Sequence, residues 1–358
     1  MSDYSYQDEL ANRALDSALN CGMSIIAASC GSGKSSMIKL LINRFVKLNG
    51  PESKVLVVCE NMTSLRDQFL AEMEQNITIN FTYGEISEKE NVTVRVGIAA
   101  SLQKLTWDKV DLIIFDEIHR QYRECRIQKF LRKIKPKYQV GCTGTASSFV
   151  RDNKTQSKKI PIHFLSGAEL MKKGIYASVD LFITRTPCKQ NPQQMIKDVL
   201  TNAKKENVNL KKVLIVCGRV AHAEAMASYL RTMGYKVYLS TSKNDRKNEI
   251  LMAHKAADSG YLITVGKVSM GYNDGSLTAL IHCDSPTGNL NANVQVFSRI
   301  LRRFPGGSDE RKAYIRVSTQ DSKNYNAQYY MLLKLKAMLD DKTVFSKFDG
   351  RNLKIQFF

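Results

Sequence analysis

The chain alternates short runs of Val, Ile and Leu with longer stretches of helical spacing, and few folds satisfy that pattern. Five apolar runs come first, at Met23–Ala28, Val55–Cys59, Val92–Ile98, Leu112–Phe115 and Tyr138–Cys142. Five more follow, at Val213–Cys217, Lys236–Leu239, Tyr261–Val265, Ala279–His282 and Ala313–Val317. Runs that are apolar throughout, rather than at alternate residues, read as strands covered on both faces. Such strands joined by helices build parallel sheets, so the expected class is α/β. Candidate helices are Ser35–Leu48, Thr63–Gln75, Ala221–Met233 and Val294–Arg302. The first stops at Asn49-Gly50-Pro51 and the third at Gly234, both glycine signals for a helix end.

Two series of strands imply two domains, which a chain of 358 residues accommodates. The stretch Arg185–Pro192 holds two of the seven prolines and reads as the linker. The expected division is 1–187, 188–318 and a C-terminal extension 319–358. In the extension, Tyr325–Asp341 reads as an amphipathic helix and 343–358 as a strand-prone tail.

Residues 28–35, Ala-Ser-Cys-Gly-Ser-Gly-Lys-Ser, follow an apolar strand and open a helix. That context suits a nucleotide phosphate loop. Gly31 and Gly33 let the backbone curl so that its N–H groups, that of Ser32 included, point at phosphate oxygens. Lys34 supplies positive charge to the β- and γ-phosphates. The Ser35 hydroxyl is placed for Mg²⁺, and the helix N-terminus adds a favourable dipole. A Gly/Ser-rich turn is the plainer alternative.

Residues 111–119, Asp-Leu-Ile-Ile-Phe-Asp-Glu-Ile-His, end an apolar strand in two carboxylates. Ligands of open α/β sheets bind at the C-terminal ends of strands. Asp116 would reach Mg²⁺ there, and Glu117 would act as general base on the attacking water. His119 would lie close enough to sense the nucleotide. A D-E pair also caps a following helix, which is the competing reading.

With these residues the sequence resembles the superfamily 2 helicases that carry a D-E-x-H box. The resemblance implies two tandem RecA-like domains, each a mainly parallel sheet flanked by helices. Tyr6-Gln7 resembles the Q motif, whose Gln reads adenine. Thr143-Gly144-Thr145-Ala146 resembles motif III, with Thr143 and Thr145 coupling hydrolysis to domain movement. Val213–Gly218 resembles motif IV, and Ile263–Asp274 resembles motif V, with Gly271 and Asn273 near the nucleotide. In motif V, Asn273 stands where many relatives carry Asp, and Asp274 is adjacent. Gln295–Arg302 resembles motif VI, with Ser298 in place of its Gly. Gln295, Arg299 and Arg302 share one helical face, which would close over the γ-phosphate as arginine fingers do. A solvated basic helix face is the bland alternative. The layout is similar to the motors of type I and III restriction enzymes and to phage helicases of branched DNA.

The same resemblance implies a nucleic-acid strand held by its phosphates, with little base specificity. The matching residues are Thr63, Ser64, Arg66, Ser101, Gln103, Gly218, Arg219, Thr264 and Lys267. The charge balance agrees. Lys and Arg number 53 against 34 Asp and Glu, a net charge of +19, which favours a polyanionic partner.

The expected activity is ATP hydrolysis with Mg²⁺, driving a helicase or translocase on DNA rather than RNA. The alternative is a nucleotide-gated clamp, or an RNA helicase, without processive unwinding. A P-loop ATPase of another class fits less well with a duplicated layout. A monomer is expected, with a single-strand-binding or replication/recombination protein as the candidate protein partner.

None of the eight cysteines forms C-x-x-C or a zinc-spaced cluster, so they read as small buried hydrophobes in a reducing compartment. The N-terminus lacks a basic and apolar leader, and no apolar run approaches the roughly 20 residues of a membrane span. A soluble, intracellular protein is expected.

Overall fold

The computed structural model describes residues 5–29, 31–59, 81–82, 94–98, 102, 109–118, 125–144, 160–184, 186, 191–245, 247–265, 272, 274–283, 290–303, 312–317 and 356–357. The chain divides into two compact units, and the division falls between Leu165 and Ser166.

The first unit opens with α1 (Ser5–Cys21), β1 (Met23–Ala28), α2 (Lys34–Asn49) and β2 (Val55–Cys59). It continues with β3 (Phe81–Thr82), β4 (Val94–Ile98), β5 (Leu112–Phe115), α3 (Cys125–Ile134), β6 (Tyr138–Thr143) and β7 (Ile162–Leu165). The strands form one sheet in the order β3-β4-β2-β5-β6-β1-β7. All its pairings are parallel. Every residue of β2 and β5 is buried, as continuous apolar runs require. Helix α1 buries Tyr6, Leu10, Ala11, Ala14, Leu15 and Ala18, one stripe at helical spacing.

The second unit holds α4 (Gly167–Lys172), β8 (Val179–Thr184), α5 (Pro192–Lys205), β9 (Lys212–Cys217), α6 (Val220–Thr232) and β10 (Val237–Ser240). Then come α7 (Glu249–Ala256), β11 (Gly260–Val265), β12 (Ala279–His282), α8 (Leu290–Leu301), β13 (Lys312–Val317) and β14 (Gln356–Phe357). Its sheet runs β10-β11-β9-β12-β13-β8-β14, again with all pairings parallel. Counted from the first strand of each unit, the two orders are the same. The halves therefore repeat one α/β topology on different sequences, which is the tandem RecA-like arrangement.

Two expectations about the second half change. Strand β8 lies in the second sheet beside β13, so that sheet begins upstream of residue 187. The stretch expected to be a linker ends in a helix start. The Asn191 side chain accepts from the Gln194 N–H, and Pro192 occupies the first turn of α5. Pro192 there marks a beginning rather than a break. At the other end, Gln356–Phe357 pair with β8, so the C-terminal extension supplies the seventh strand. The helix expected at Tyr325–Asp341 and that at Thr63–Gln75 lie outside the described residues.

Among the cysteines, Cys59, Cys142, Cys217 and Cys283 are buried, whereas Cys21 is exposed at the end of α1. No helix among the described residues is long and apolar enough to cross a membrane.

Candidate functional site

Strands β1, β6 and β5 stand side by side, so the segments leaving their C-terminal ends meet at one place. The segment after β1 is the stretch expected to cradle phosphate. Gly31 and Gly33 take φ of 93° and 85°, the left-handed region that side chains disfavour. Gly33 precedes α2, and its carbonyl accepts the Met37 N–H at 3.1 Å. A Cβ on Gly33 would lie 2.2 Å from Gln7 Nε2, so the glycine lets the Gln7 amide lie over the loop.

Helix α1 braces this loop. The Tyr6 hydroxyl donates to the Ser32 carbonyl at 2.7 Å, and Gln7 Nε2 donates to the same oxygen at 3.3 Å. Tyr6 was legible as half of the Q-motif pair, but its part in holding the loop was not. Ser32 Oγ is buried without a hydrogen-bond partner, a cost of about 1–3 kcal/mol unless a ligand satisfies it.

The acidic pair leaves β5 opposite. The Asp116 N–H donates to the Val58 carbonyl at 3.0 Å, which extends the β2–β5 ladder to the carboxylate. Glu117 has φ of 52°, unusual for a residue with a side chain. That conformation costs about 1–3 kcal/mol and persists only where its surroundings impose it. Glu117 Oε1 lies 3.6 Å from Lys34 Nζ, and Oε2 accepts the Gly144 N–H at 3.3 Å. Lys34 Nζ also approaches the Ala28 carbonyl, at 3.5 Å. A single carboxylate thus bridges the phosphate loop and the segment after β6.

Ile118 seats this turn against the sheet. A Cβ on Gly141 of β6 would lie 2.3 Å from Ile118 Cδ1. Cys142 follows, fully buried. Burial pushes its thiol up, Asp116 adds to the rise, and Lys34 opposes it. It is a neutral packing group rather than a nucleophile. Thr143 ends β6, also buried, with its backbone paired to Ala27.

In the second unit, Gln295 and Arg299 lie on α8. The Arg299 Nη1–H donates to the Tyr272 carbonyl at 3.1 Å. The expected three-residue face is shorter than the spacing implied. The helix stops at Leu301, and the backbone of Arg302 instead forms an antiparallel bridge with Tyr176. Ser298 fits where motif VI has Gly because its hydroxyl turns back onto the Gln295 carbonyl at 2.8 Å.

Asp274 is held inside the fold. Lys212 Nζ stands 3.0 Å from its carboxylate, with both side chains 5% exposed or less. The hydroxyls of Ser276 and Tyr272 donate to it as well. Burial alone would raise its pKa, but the bonds from Ser276 and Lys212 hold it below the usual range. Sequence spacing could not reveal this, because Lys212 is brought to it only by the β9–β12 edge.

Of the expected nucleic-acid contacts, Gly218 and Arg219 are exposed after β9, with Arg219 at the N-terminus of α6. Thr264, expected to contact nucleic-acid phosphate, is fully buried near the end of β11, and its hydroxyl has no partner among the described residues. Strands β9 and β10 cover it on either side. Thr63, Ser64, Arg66, Ser101, Gln103, Lys267, His119, Thr145, Gly271 and Asn273 lie outside the described residues.

Comparison with known proteins bears on the first unit most directly. Residues 1–148 match the family model of the type III restriction enzyme, res subunit. No curated protein matches the chain. Among solved structures, a fragment of a putative HsdR subunit of a type I restriction enzyme from Vibrio vulnificus YJ016 aligns at 17% identity and TM-score 0.66. The alignment covers 89% of this chain and spans 65% of that one. S. cerevisiae Dbp5 bound to RNA and ADP BeF3 aligns at 14% identity and TM-score 0.65, covering 98% and 89% of the two chains. The ATP-dependent type ISP restriction-modification enzyme LlaBIII bound to DNA aligns at 15% identity and TM-score 0.68. All of this chain and 31% of that one are covered. The solved structures bear out the tandem RecA-like fold, and the family match bears out the likeness of the first unit to restriction-enzyme res subunits.

Proposed function

We propose that the chain, with a res-subunit match over its first 148 residues and the same topology repeated in its second half, is an ATP-driven motor on nucleic acid. The observation that carries this reading is the Lys34–Glu117 contact beyond the ends of β1 and β5, the two strands that flank β6, beside a loop of two left-handed glycines. A lysine and a carboxylate held together in a pocket of backbone N–H groups suit a phosphoanhydride and its attacking water.

The residues present fit Mg-ATP. Gly31, Ser32, Gly33 and Lys34 would hold the phosphates, Ser35 and Asp116 the metal, and Gln7 the base. Once bound, Mg²⁺ neutralises phosphate charge and the nucleotide brings the bond to be cleaved. Lys34 then exchanges the Glu117 carboxylate for phosphate oxygens. Glu117, still oriented by the Gly144 N–H, is left to accept the proton of water at Oε1. Arg299 and Arg302 are proposed to stabilise the developing charge, as a finger supplied from a second domain does. Thr143 and Thr145 would pass the state of the first unit onward.

DNA is the proposed track, because the family matched by the first unit is a restriction one. Contacts through Gly218, Arg219 and the segments expected near Thr63, Ser101 and Lys267 would make binding salt-dependent and sequence-neutral. Work on branched or partly single-stranded DNA in replication, recombination or repair fits such a motor, acting as a monomer.

The test is ATP hydrolysis with single-stranded DNA, duplex, branched DNA and RNA, each with Glu117→Gln as control. Stimulation by DNA that vanishes in the variant supports the reading. Hydrolysis unaffected by any nucleic acid, or full activity in Glu117→Gln, overturns it.

A further inference from the structure

Between Glu124 and Asp152 the chain has no acidic residue, and six of the thirteen residues from Cys125 to Lys137 are Lys or Arg. Five of them, Lys129, Arg132, Lys133, Lys135 and Lys137, are exposed. Among the described residues, none of the five has an acid within ion-pair distance. Lys129, Arg132 and Lys133 share the outer face of α3 at i, i+3 and i+4, where like charges cost about 0.2–0.5 kcal/mol per pair. Lys135 and Lys137 continue the row through the turn into β6.

The place of the row in the fold is informative. The Lys137 N–H donates to the Val110 carbonyl and the Tyr138 N–H to that of Asp111, so the turn lies where β5 and β6 begin. Lys34 and Glu117 lie where β1 and β5 end. A six-residue strand spans about 20 Å, so the two places are on opposite edges of one sheet. The acid at this corner, Asp111, is already engaged by Lys109 Nζ at 3.2 Å and the Lys54 N–H at 3.0 Å.

The chemistry of the face narrows the partner. Ile127, Phe130 and Ile134 of α3 are turned into the core, and Leu131 packs against it, partly buried. A protein interface needs apolar anchors at its centre, and a membrane-surface helix needs an apolar face. A phosphate backbone needs neither, only cations in a row.

We propose that Lys129, Arg132, Lys133, Lys135 and Lys137 form a second contact with a nucleic-acid phosphate backbone, on the edge of the first sheet away from the nucleotide site. The proposal rests on the motor reading only for the identity of the polyanion. The contact itself needs no hydrolysis. It would hold a part of the substrate other than the strand engaged at the C-terminal edges.

The experiment compares the full chain with a five-fold Lys/Arg→Gln variant at these positions. A control of equal charge loss replaces Lys197, Lys204, Lys205, Lys211 and Lys236, all exposed on the second unit, by Gln. Binding to duplex, to single-stranded DNA and to polyglutamate is followed by anisotropy across salt. Thermal unfolding and binding of a non-hydrolysable ATP analogue check the fold. With three to four phosphates released, the slope of log K against log salt should fall in magnitude by about 3 in the α3 variant. The control should keep the original slope. The arm that loses affinity, duplex or single strand, identifies the part of the substrate held. Equal slopes in all three proteins, an equal drop in the control, or a loss as large on polyglutamate would overturn the proposal. Absence of ATPase activity would strike the motor reading alone, since the slopes are measured without turnover.

Discussion

Lys34 Nζ and Glu117 Oε1 stand 3.6 Å apart, linking the first turn of α2 to the end of β5. The lysine that would grip phosphate and the carboxylate that would take a proton are therefore each other's partner. Replacing Lys34 by Ala should abolish nucleotide binding. Glu117→Gln keeps the size and the Gly144 bond, so it should bind an ATP analogue as the parent does while hydrolysis falls about 10²–10⁴-fold. Equilibrium binding beside steady-state turnover checks both. A Glu117→Gln protein that turns over normally would remove Glu117 from the chemistry.

The loop's dependence on glycine can be dissected at Gly33. Gly33→Ala meets Gln7 Nε2 at 2.2 Å and carries φ of 85°. The clash is with the movable end of a side chain, while the left-handed backbone costs about 1–2 kcal/mol whatever the space. Gly33→Ala should weaken ATP-analogue binding at least tenfold. Adding Gln7→Ala relieves the clash but also removes the proposed base contact, so it should not return binding to the parent's level. Full recovery in the double variant would mean that backbone conformation contributes nothing.

Packing behind the acidic pair should also reach the chemistry. Gly141→Ala would drive a methyl into Ile118, one residue beyond Glu117. Turnover should fall with the chain still folded, and Ile118→Val should recover part of it by making room. A Gly141→Ala protein with unchanged kcat would separate this packing from the position of Glu117.

In the second unit, the Lys212–Asp274 pair is buried and fully bonded. Lys212→Met strands a carboxylate in the core and should cost about 3–5 kcal/mol in denaturant unfolding. The double variant Lys212→Met/Asp274→Leu should cost less than Lys212→Met alone. A larger loss in the double variant would show that the pair is worth more than its desolvation.

Mild acid should loosen the same region. Burial pushes His254 down to about 4, with the Gly260 carbonyl and Asp274 opposing and Lys212 adding to the fall. Tyr272 and the ring of Tyr238 complete its surroundings. Burial and then Arg316 hold His282 well below its ordinary value. A folded pKa below the unfolded value of about 6.5 means stability is whole above that pH and is lost as pH falls toward about 4. The slope is about 1.4 kcal/mol per pH unit for each histidine. Asp274 contributes its loss only below about 3.9, so the window belongs to the histidines. Hydrogen exchange of β9 to β13 between pH 7 and 4.5 should show the decline, and His254→Gln should flatten it. An identical decline in His254→Gln would exonerate His254.

What could be read from residues alone was whatever local chemistry dictates. Continuous apolar runs announced the parallel strands, because a strand covered on both faces has no polar side to show. Gly31 and Gly33 announced a sharply curled turn before α2, because such residues let a backbone take left-handed conformations. The place of Asp116 and Glu117 just past the end of β5 was legible because the apolar run stops at Phe115. The tertiary structure decided what depends on distant segments meeting. It set Tyr6 under Ser32, turned Asp274 onto Lys212, buried Thr264 between two strands and returned Gln356–Phe357 to the edge of β8. Those contacts follow from the order in which strands are laid into a sheet. Strand order is settled by packing across the whole unit, and spacing along the chain does not encode it.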